Sequence, residues 1–266
     1  MSKTKPATRL WAKLRVADAG PVRTITLHNP ERRNAIGPQM VNELLWALAD
    51  AHEDDDVRAI VLTGEGKAFC AGGDFSSMGG GSDGPELPPK GDYADLLLAM
   101  VRSEKPIVAR VNGHAMGGGL GLVAASTFAI AVADAKLGTP EIDVGLFPMM
   151  IMAVLARLVP RRALLDMMLL GKKLSAEDAR GVGIVNEVAE AADLDATTKR
   201  LVNALTSKSP KTIALGLRAF AEQDDMDLAA ALPMLRGKLG ECLATEDARE
   251  GMMAFLEKRA PVWTGR

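Results

Sequence analysis

"VNGHAMGGGLGL", residues 111–122, places three consecutive glycines between the apolar run KPIVARV and the helix-like run LGLVAAS. The apolar run predicts a buried strand, and the run after the glycines predicts a helix. Glycine has no Cβ, so it permits positive φ and lets another group approach the main chain closely. The stretch therefore predicts a strand, a tight turn and a helix, with a turn that can receive a neighbouring group.

A second glycine turn, AFCAGGD at residues 68–74, follows the apolar run VRAIVLTG. Both turns can be simple tight turns. Alternatively, unpaired N–H groups at the two turns, beside a helix N-terminus, point together at one negative oxygen and form an oxyanion hole. Such a site suits a thioester that becomes an enolate.

The remaining pattern predicts alternating strands and helices. Residues 10–17 and 22–28 are typical of a hairpin, residues 39–51 have helical spacing, and GIVNEVA is the last good strand candidate. Residues 76–92 are rich in Gly, Pro and Ser, which predicts a mobile surface loop. Further helices are expected from about Tyr93 and, at the carboxyl end, over residues 193–207, 210–223, 227–243 and 246–259. This order predicts an α/β fold with a helical appendage.

The chain of 266 residues has an ordinary globular composition, with 48% apolar and 25% charged residues. Its net charge is −2 and its basic residues are dispersed, so we expect no nucleic-acid partner. Two distant cysteines and no signal-like segment before residue 30 predict a cytoplasmic protein with reduced thiols. The longest uncharged stretch, residues 111–133, contains five glycines, so we expect no membrane span.

Six fragments occur in the order found in the crotonase superfamily, the enoyl-CoA hydratases and isomerases. They are ERRNAI, GKAFCAGGDF, VNGHAMGGGLGL, GTPEIDVGLFP, GKKLSAEDARGVGIVNEV and GMMAFLEKRAP. The resemblance runs from about residue 10 to residue 261. It implies an α/β fold in which a crotonase-like spiral of ββα units, residues 1–195, precedes a C-terminal helical trimerisation region, residues 196–266. It also implies a homotrimer or a dimer of trimers.

The resemblance implies an acyl-CoA substrate and assigns roles to particular residues. The N–H groups of Gly73 and Gly118 would hold the thioester oxygen, and Glu141 of the "PE" turn would transfer protons. Coenzyme A would enter as part of the thioester substrate, with no other cofactor. Its contacts would come from the loops at Arg32–Ala35 and Ala71–Gly73, and from two residues of a neighbouring subunit; the implied residues are Arg33, Ala35, Ala71, Gly73, Asp74, Phe255 and Lys258.

The chain departs from the family pattern at two positions. Gly121 stands where hydratases of the family carry their first glutamate, and Ser76 stands where some relatives carry a lysine. Adding water across a double bond needs one group to deprotonate water and another to deliver a proton. Moving a double bond needs a single base, so Glu141 alone suits isomerisation. Some family members that hydrate branched substrates also carry glycine at this position, so hydration and isomerisation both remain open.

Asp74 and Asp143 are candidates for a second carboxylate, although each also suits a turn or surface position. Two other functions stay open. Gly119, Gly121 and Ala124 fit a G-x-G-x-x-A dinucleotide fingerprint of an NAD-dependent dehydrogenase, with Asp134 as its acidic residue. A catalytically inert acyl-CoA binder is the other alternative.

Other reactive side chains favour structural roles. The three histidines, His28, His52 and His114, are too scattered for ligand spacing, so we predict no metal. His114 suits a hydrogen-bonded structural position, and Cys70 suits packing because no neighbouring histidine provides a base. The methionine-rich run FPMMIMAVLARL is interpreted as a core helix, with an acyl tunnel as the alternative.

Overall fold

The computed structural model describes residues 9–74 and 87–266. The strands are β1 (Leu14–Ala19), β2 (Val22–Leu27), β3 (Ala59–Gly64), β4 (Ala68–Cys70), β5 (Ile107–Val111), β6 (His114–Met116), β7 (Phe128–Val132), β8 (Lys136–Gly138), β9 (Lys173–Ser175) and β10 (Glu187–Ala189). The helices are α1 (Pro38–Glu53), α2 (Tyr93–Val101), α3 (Gly118–Ala125), α4 (Met149–Leu155), α5 (Arg161–Leu170), α6 (Ala176–Gly181), α7 (Leu194–Thr206), α8 (Pro210–Gln223), α9 (Leu228–Leu243) and α10 (Glu246–Glu257). Single 3₁₀ turns occupy Pro30–Arg32 and Pro140–Val144.

The larger sheet has six strands in the order β1-β2-β3-β5-β7-β10. β1 and β2 form the predicted antiparallel hairpin, and the other neighbours pair in parallel. The hairpin is shorter than predicted, because β1 begins at Leu14 rather than at residue 10. The N–H groups of Ala12 and Lys13 instead donate to the buried carboxylate of Glu43 on α1.

A second sheet has four strands in the order β4-β6-β8-β9. β4, β6 and β8 are parallel to one another, and β9 is antiparallel to β8. Each of these strands has three residues. They were absent from the sequence interpretation because three residues are too short to show a period of two.

The two sheets are built by a repeated unit of a long strand, a short strand and a helical segment. β5, β6 and α3 form one unit, and β7, β8 and the 3₁₀ turn Pro140–Val144 form the next. In the preceding unit β3 and β4 lie ahead of α2. The predicted spiral of ββα units is therefore confirmed, and successive short strands lie side by side in the second sheet.

The helix predicted over residues 39–51 is α1, which starts with Pro38 after Gly37. Proline suits a first helical position because its missing N–H has no partner there anyway. α1 buries one apolar face, including Met40, Leu44 and Leu48, against the hairpin and α2. Burying one such side chain contributes about 1.5–3 kcal/mol, so this face holds the helix on the core.

The carboxyl end forms the four predicted helices. α7 packs against β3, β5 and β7, whereas α8, α9 and α10 pack on one another. The predicted division between residues 195 and 196 thus falls inside α7, a helix that lies on the larger sheet. The division itself stays a prediction, and α8, α9 and α10 are called the helical appendage below.

Much of the loop predicted over residues 76–92 lies outside the described residues, as does Ser76. Its end is held to α1, because Asn42 and the Trp46 indole N–H donate to the carbonyls of Leu87 and Pro88. Residues 111–133 contain β5, β6, α3 and β7. Across residues 9–74 and 87–266, no helix has the length and apolar character that a bilayer crossing needs.

Candidate active site

Three functional segments follow three neighbouring strands of the second sheet. Gly72 and Gly73 come after β4, Gly117 and Gly118 come after β6, and Glu141 comes after β8. Because these strands are adjacent and parallel, their carboxyl ends lie at one edge of the sheet. In sheets with parallel strands, ligands commonly bind at this edge.

The two glycine turns touch each other through their main chains. Gly72 has φ +104° and Gly117 has φ +49°, a region that side chains rarely adopt. A Cβ on Gly72 would lie 3.2 Å from the carbonyl oxygen of Met116 and 3.8 Å from Cα of Gly117. The group that approaches the glycine triplet is therefore the other glycine turn.

The N–H groups of Gly73 and Gly118 have no acceptor among the described residues. Around Gly73, Ile36 donates to the Gly72 carbonyl at 2.8 Å, and Asp74 donates to the Ile36 carbonyl at 2.8 Å. Gly118 is the first residue of α3, so its N–H has no partner within the helix. Two donors are thus available near each other, and the one on Gly118 carries the positive end of a helix dipole.

Glu141 lies against the second turn on the 3₁₀ segment that begins at Pro140. A Cβ on Gly117 would lie 2.6 Å from Oε1 of Glu141, so a side chain at Gly117 would displace the carboxylate. Oε2 of Glu141 is buried and has no hydrogen-bond partner among the described residues. Burial raises the pKa of Glu141 above its ordinary value of 4.5, which improves it as a proton acceptor near neutral pH.

Position 121, where a first glutamate would stand, is filled by other side chains. A Cβ on Gly121 would overlap the hydroxyl oxygen of Tyr93 and Cγ2 of Ile151. Tyr93 was missed as a site residue by the sequence interpretation, which used it only as the start of a helix. Its one available signal is that it is the only tyrosine of the chain. Its hydroxyl donates to the carbonyl of Gly118 at 2.5 Å.

The two candidate second carboxylates have other neighbours. Asp74 accepts a hydrogen bond from Arg32 at 3.1 Å. Asp143 is exposed and lies against Gly171 after α5, where a Cβ would be 3.0 Å from its Oδ1. Glu141 is therefore the carboxylate that the structure brings to the Gly117 turn.

The segments expected to contact coenzyme A lie side by side next to the glycine turns. The N–H of Ala71 donates to the Arg33 carbonyl at 3.0 Å, and Ala35 precedes the Ile36–Gly73 bridge. Phe255 and Lys258 lie at the end of α10, which packs on α8 and α9. Phe255 is 82% exposed, and the contact of these two residues with a neighbouring subunit stays a prediction.

Cys70 and His114 have the surroundings of structural residues. Burial raises the pKa of Cys70 to about 12, so its thiol is protonated near neutral pH. His114 is exposed, and its Nδ1 accepts the N–H of Lys136 at 3.0 Å. In the part of the chain that the structure describes, no three His, Cys, Asp or Glu residues form a group that could hold a metal ion.

The dinucleotide fingerprint has no space for a phosphate. Gly119 and Gly121 lie inside α3 rather than in the turn before it. A Cβ on Gly119 would lie 2.6 Å from Cβ of Cys70. Because both glycines are occupied by close side-chain packing, a pyrophosphate cannot reach their main chain, and the residues do not support a nicotinamide site.

The ββα spiral and the three segments at one sheet edge define a protein of the crotonase fold. Residues 18–266 match the family model described as enoyl-CoA hydratase/isomerase. The chain belongs to the enoyl-CoA hydratase/isomerase family.

Individual relatives agree with this assignment. The chain is 32% identical over 244 residues to a short-chain-enoyl-CoA hydratase of Clostridium acetobutylicum, covering 90% of this chain and 93% of the relative. An enoyl-CoA hydratase structure from Mycobacterium smegmatis superposes with a TM-score of 0.86 at 34% identity, covering 94% of this chain and 98% of that one. The structure of human enoyl coenzyme A hydratase domain-containing protein 3 superposes with a TM-score of 0.86 at 29% identity, covering 94% of this chain and 100% of that one.

Proposed function

We propose that the protein binds an enoyl-CoA thioester and moves a proton on its acyl group. The thioester oxygen accepts hydrogen bonds from the N–H groups of Gly73 and Gly118. Glu141 acts as the proton-transferring base. The observation that carries this proposal is the buried Oε2 of Glu141 beside two glycine turns. Neither that oxygen nor the N–H groups of Gly73 and Gly118 have a hydrogen-bond partner among residues 9–74 and 87–266. A buried polar atom without a partner costs free energy, so its retention is typical of a functional site.

The two N–H groups would stabilise the enolate rather than the starting thioester. Negative charge develops on the oxygen when the α proton leaves, and preorganised donors stabilise that charge without rearranging. Removal of one such donor costs about 3 kcal/mol in other enzymes. The dipole of α3 adds to the same effect because Gly118 is its first residue.

Isomerisation is the first candidate reaction. Glu141 removes the α proton of a 3-enoyl thioester, the electron pair moves through the enolate, and the same carboxyl returns the proton to the γ carbon. The product is the conjugated 2-enoyl thioester, and no other reactant is consumed. The packing at Gly121 supports this reaction, because Tyr93 and Ile151 fill the position from which a second glutamate would act.

Hydration of a 2-enoyl thioester is the second candidate. It is favoured by the relatives, since the Clostridium acetobutylicum protein is named a hydratase. In this reaction Glu141 would have to handle water and the α-carbon proton in turn. Because Tyr93 and Ile151 occupy the space beside Gly121, a single carboxylate would have to perform both proton transfers. The site therefore suits hydration less well than isomerisation.

The proposal includes the surroundings of the site. Coenzyme A would enter as part of the substrate, along Arg33, Ala35, Ala71 and Asp74, with no other cofactor and no metal. The protein would assemble as a homotrimer or a dimer of trimers in the cytoplasm. Large exposed apolar side chains support a role of the appendage in assembly; they include Phe220, Leu228, Leu232, Leu239, Leu243, Met252, Phe255 and Leu256.

The test is to mix the protein separately with crotonyl-CoA and with a 3-enoyl-CoA and to follow absorbance of the conjugated thioester. Isomerisation raises the absorbance with the 3-enoyl substrate, and hydration lowers it with crotonyl-CoA. If Glu141→Gln gives neither the rise nor the fall that the wild-type protein shows, Glu141 is supported as the base. Binding of CoA esters without either signal in the wild-type protein would establish the inert-binder alternative.

A further inference from the structure

Tyr93 lies across the first turn of α3. Its hydroxyl donates to the Gly118 carbonyl at 2.5 Å. A Cβ on Gly118 would lie 3.5 Å from the same oxygen, and a Cβ on Gly121 would overlap it. The hydroxyl thus contacts the turn that carries one of the two proposed oxyanion donors, and the absence of a side chain at Gly121 is what admits it.

The tyrosine is presented by a well-anchored helix end. Tyr93 is the first residue of α2, directly after the N-cap Asp92. Asp92 accepts the N–H groups of Ala94 and Asp95, and the Asp95 carboxylate accepts the N–H of Asp92. α2 packs against α1 and α3 and buries Leu96 in the core. A capping box of this kind fixes the start of a helix, so the ring is held from a rigid support.

Tyr93 stays neutral under the conditions in which Glu141 is charged. Burial is the main cause that raises the pKa of Tyr93 well above 10.0, and the negative charges of Cys70 and Glu141, where ionised, raise it further. A neutral phenol has one O–H to donate, and here it is directed to Gly118. The hydroxyl therefore keeps its proton and continues to donate to the Gly118 carbonyl when Glu141 is ionised.

The carboxylate and the hydroxyl lie on neighbouring glycines of the same turn. Oε1 of Glu141 lies against the Cβ position of Gly117, and the Tyr93 oxygen lies against that of Gly118. The peptide between the two glycines carries the Gly118 N–H. Because a glycine triplet has wide conformational freedom, its N–H direction depends on contacts that fix the turn.

We propose that Tyr93 is a positioning residue, whose hydroxyl fixes the first turn of α3 so that the Gly118 N–H points at the thioester oxygen. This inference rests on the proposed function. Electrostatic catalysis requires donors that are already oriented. A small misplacement of a donor therefore reduces the stabilisation of the transition state more than it reduces substrate binding. Tyr93 therefore affects the chemical step through Gly118, without itself exchanging a proton with the acyl group.

The experiment compares wild type, Tyr93→Phe and the matched control Ser126→Ala. Ser126 donates its hydroxyl to the Leu122 carbonyl at 2.8 Å, at the other end of α3. Each variant loses one hydroxyl-to-carbonyl hydrogen bond of the same helix. The probe is 4-(dimethylamino)cinnamoyl-CoA, a chromophoric thioester that absorbs at longer wavelength when its carbonyl is polarised.

The expected result is a clear shift to longer wavelength for wild type and Ser126→Ala, and a smaller shift for Tyr93→Phe at saturating protein. With the substrate turned over by wild type, Tyr93→Phe should lose about 10-fold in kcat, with KM within about 2-fold of the wild-type value. A purely structural hydroxyl would give the two variants the same shift and the same kcat.

Two outcomes overturn the inference. Equal shifts and equal kcat in Tyr93→Phe and wild type would refute the role of Tyr93 while leaving the proposed function intact. Absence of both shift and turnover in wild type would refute the proposed function, and the role of Tyr93 with it. Titration of the only tyrosine, read by phenolate absorption, is an independent check: an ordinary pKa near 10.0 would contradict the buried hydrogen-bonded phenol.

Discussion

Two carboxylates, Glu141 at the sheet edge and Asp247 on α10, are placed in opposite ways. Asp247 is 1% exposed and accepts hydrogen bonds from the Ser209 hydroxyl, the Thr264 N–H and the Gly265 N–H. Burial by itself would raise its pKa, but these hydrogen bonds together lower it below 3.8. Glu141 has a buried oxygen that finds no partner within the described part of the chain, and burial raises the pKa of Glu141.

The difference separates a structural carboxylate from a reactive one. Asp247 ties the last residues of the chain to the start of α8, so its charge stabilises the appendage through hydrogen bonds. Among the described residues, no comparable hydrogen bonds stabilise Oε2 of Glu141. This oxygen can therefore accept a proton from a ligand. Buried carboxylates with a raised pKa are common at active sites.

The largest expected effect is on turnover by Glu141→Gln. The amide keeps the size of the side chain but cannot accept the α proton, so kcat should fall by about 100- to 10,000-fold. Steady-state assays of the active enoyl-CoA substrate measure this fall, and direct titration with a CoA ester checks that binding persists. Asp247→Asn serves as the matched control and should keep kcat within about 3-fold. Equal losses in the two variants would remove the functional distinction between the carboxylates.

The next effect is on stability, by Asp247→Ala. Truncation leaves the buried Ser209 hydroxyl and the N–H groups of Thr264 and Gly265 without their acceptor, so the free energy of unfolding should fall by about 1–3 kcal/mol. Urea unfolding measures the change. A change below about 0.5 kcal/mol would show that the hydrogen bonds around Asp247 do not hold the appendage.

The pH dependence of stability should have opposite signs at the two sites. Asp247 has a lowered folded pKa, so its contribution is present above 3.8 and is lost as the pH falls through the folded pKa. Glu141 has a raised folded pKa, so its contribution is present below 4.5 and is lost as the pH rises through the folded pKa. The measurement is thermal unfolding of wild type, Asp247→Asn and Glu141→Gln across pH. The loss of stability at falling pH should be smaller in Asp247→Asn, and the loss at rising pH should be smaller in Glu141→Gln. The same slope in all three would contradict both assignments.

The smallest effect is the stability of Glu141→Gln near neutral pH. Replacing a half-buried, unpartnered charge by a neutral amide should raise the free energy of unfolding by less than about 1 kcal/mol, because solvent screens part of the cost. Urea unfolding at pH 7 tests this against wild type. A loss of more than about 1 kcal/mol would mean that Glu141 has a stabilising partner in solution.

Long elements could be predicted from the sequence, whereas the second sheet could not. α1, α7 and α8 have 13 or more residues each, and the hairpin strands have six each, which is long enough for a local sequence pattern to show. β4, β6 and β8 have three residues each, and their pairing depends on the repeat in space rather than on any local pattern. The ββα spiral was therefore available only through resemblance to a family.

The candidate site was predicted in part. The glycine turns show in the sequence because runs of glycine are unusual after buried strands, and resemblance pointed to Glu141. The relation between Gly121 and Tyr93 could not be found in this way, since 28 positions separate them and the contact is a tertiary one. The lack of a hydrogen-bond partner for Oε2 of Glu141 among the described residues is likewise a property of the folded structure, which the sequence does not show.

The sealed position of Cys70 has a practical consequence for handling the protein. Cys70 lies under Gly119 with a thiol that remains protonated, so alkylating reagents and mild oxidants have no route to it. Cys242, the other cysteine, is partly exposed on α9. A maleimide dye should therefore attach at one position of the unmodified sequence, which provides a reporter on the appendage without engineering.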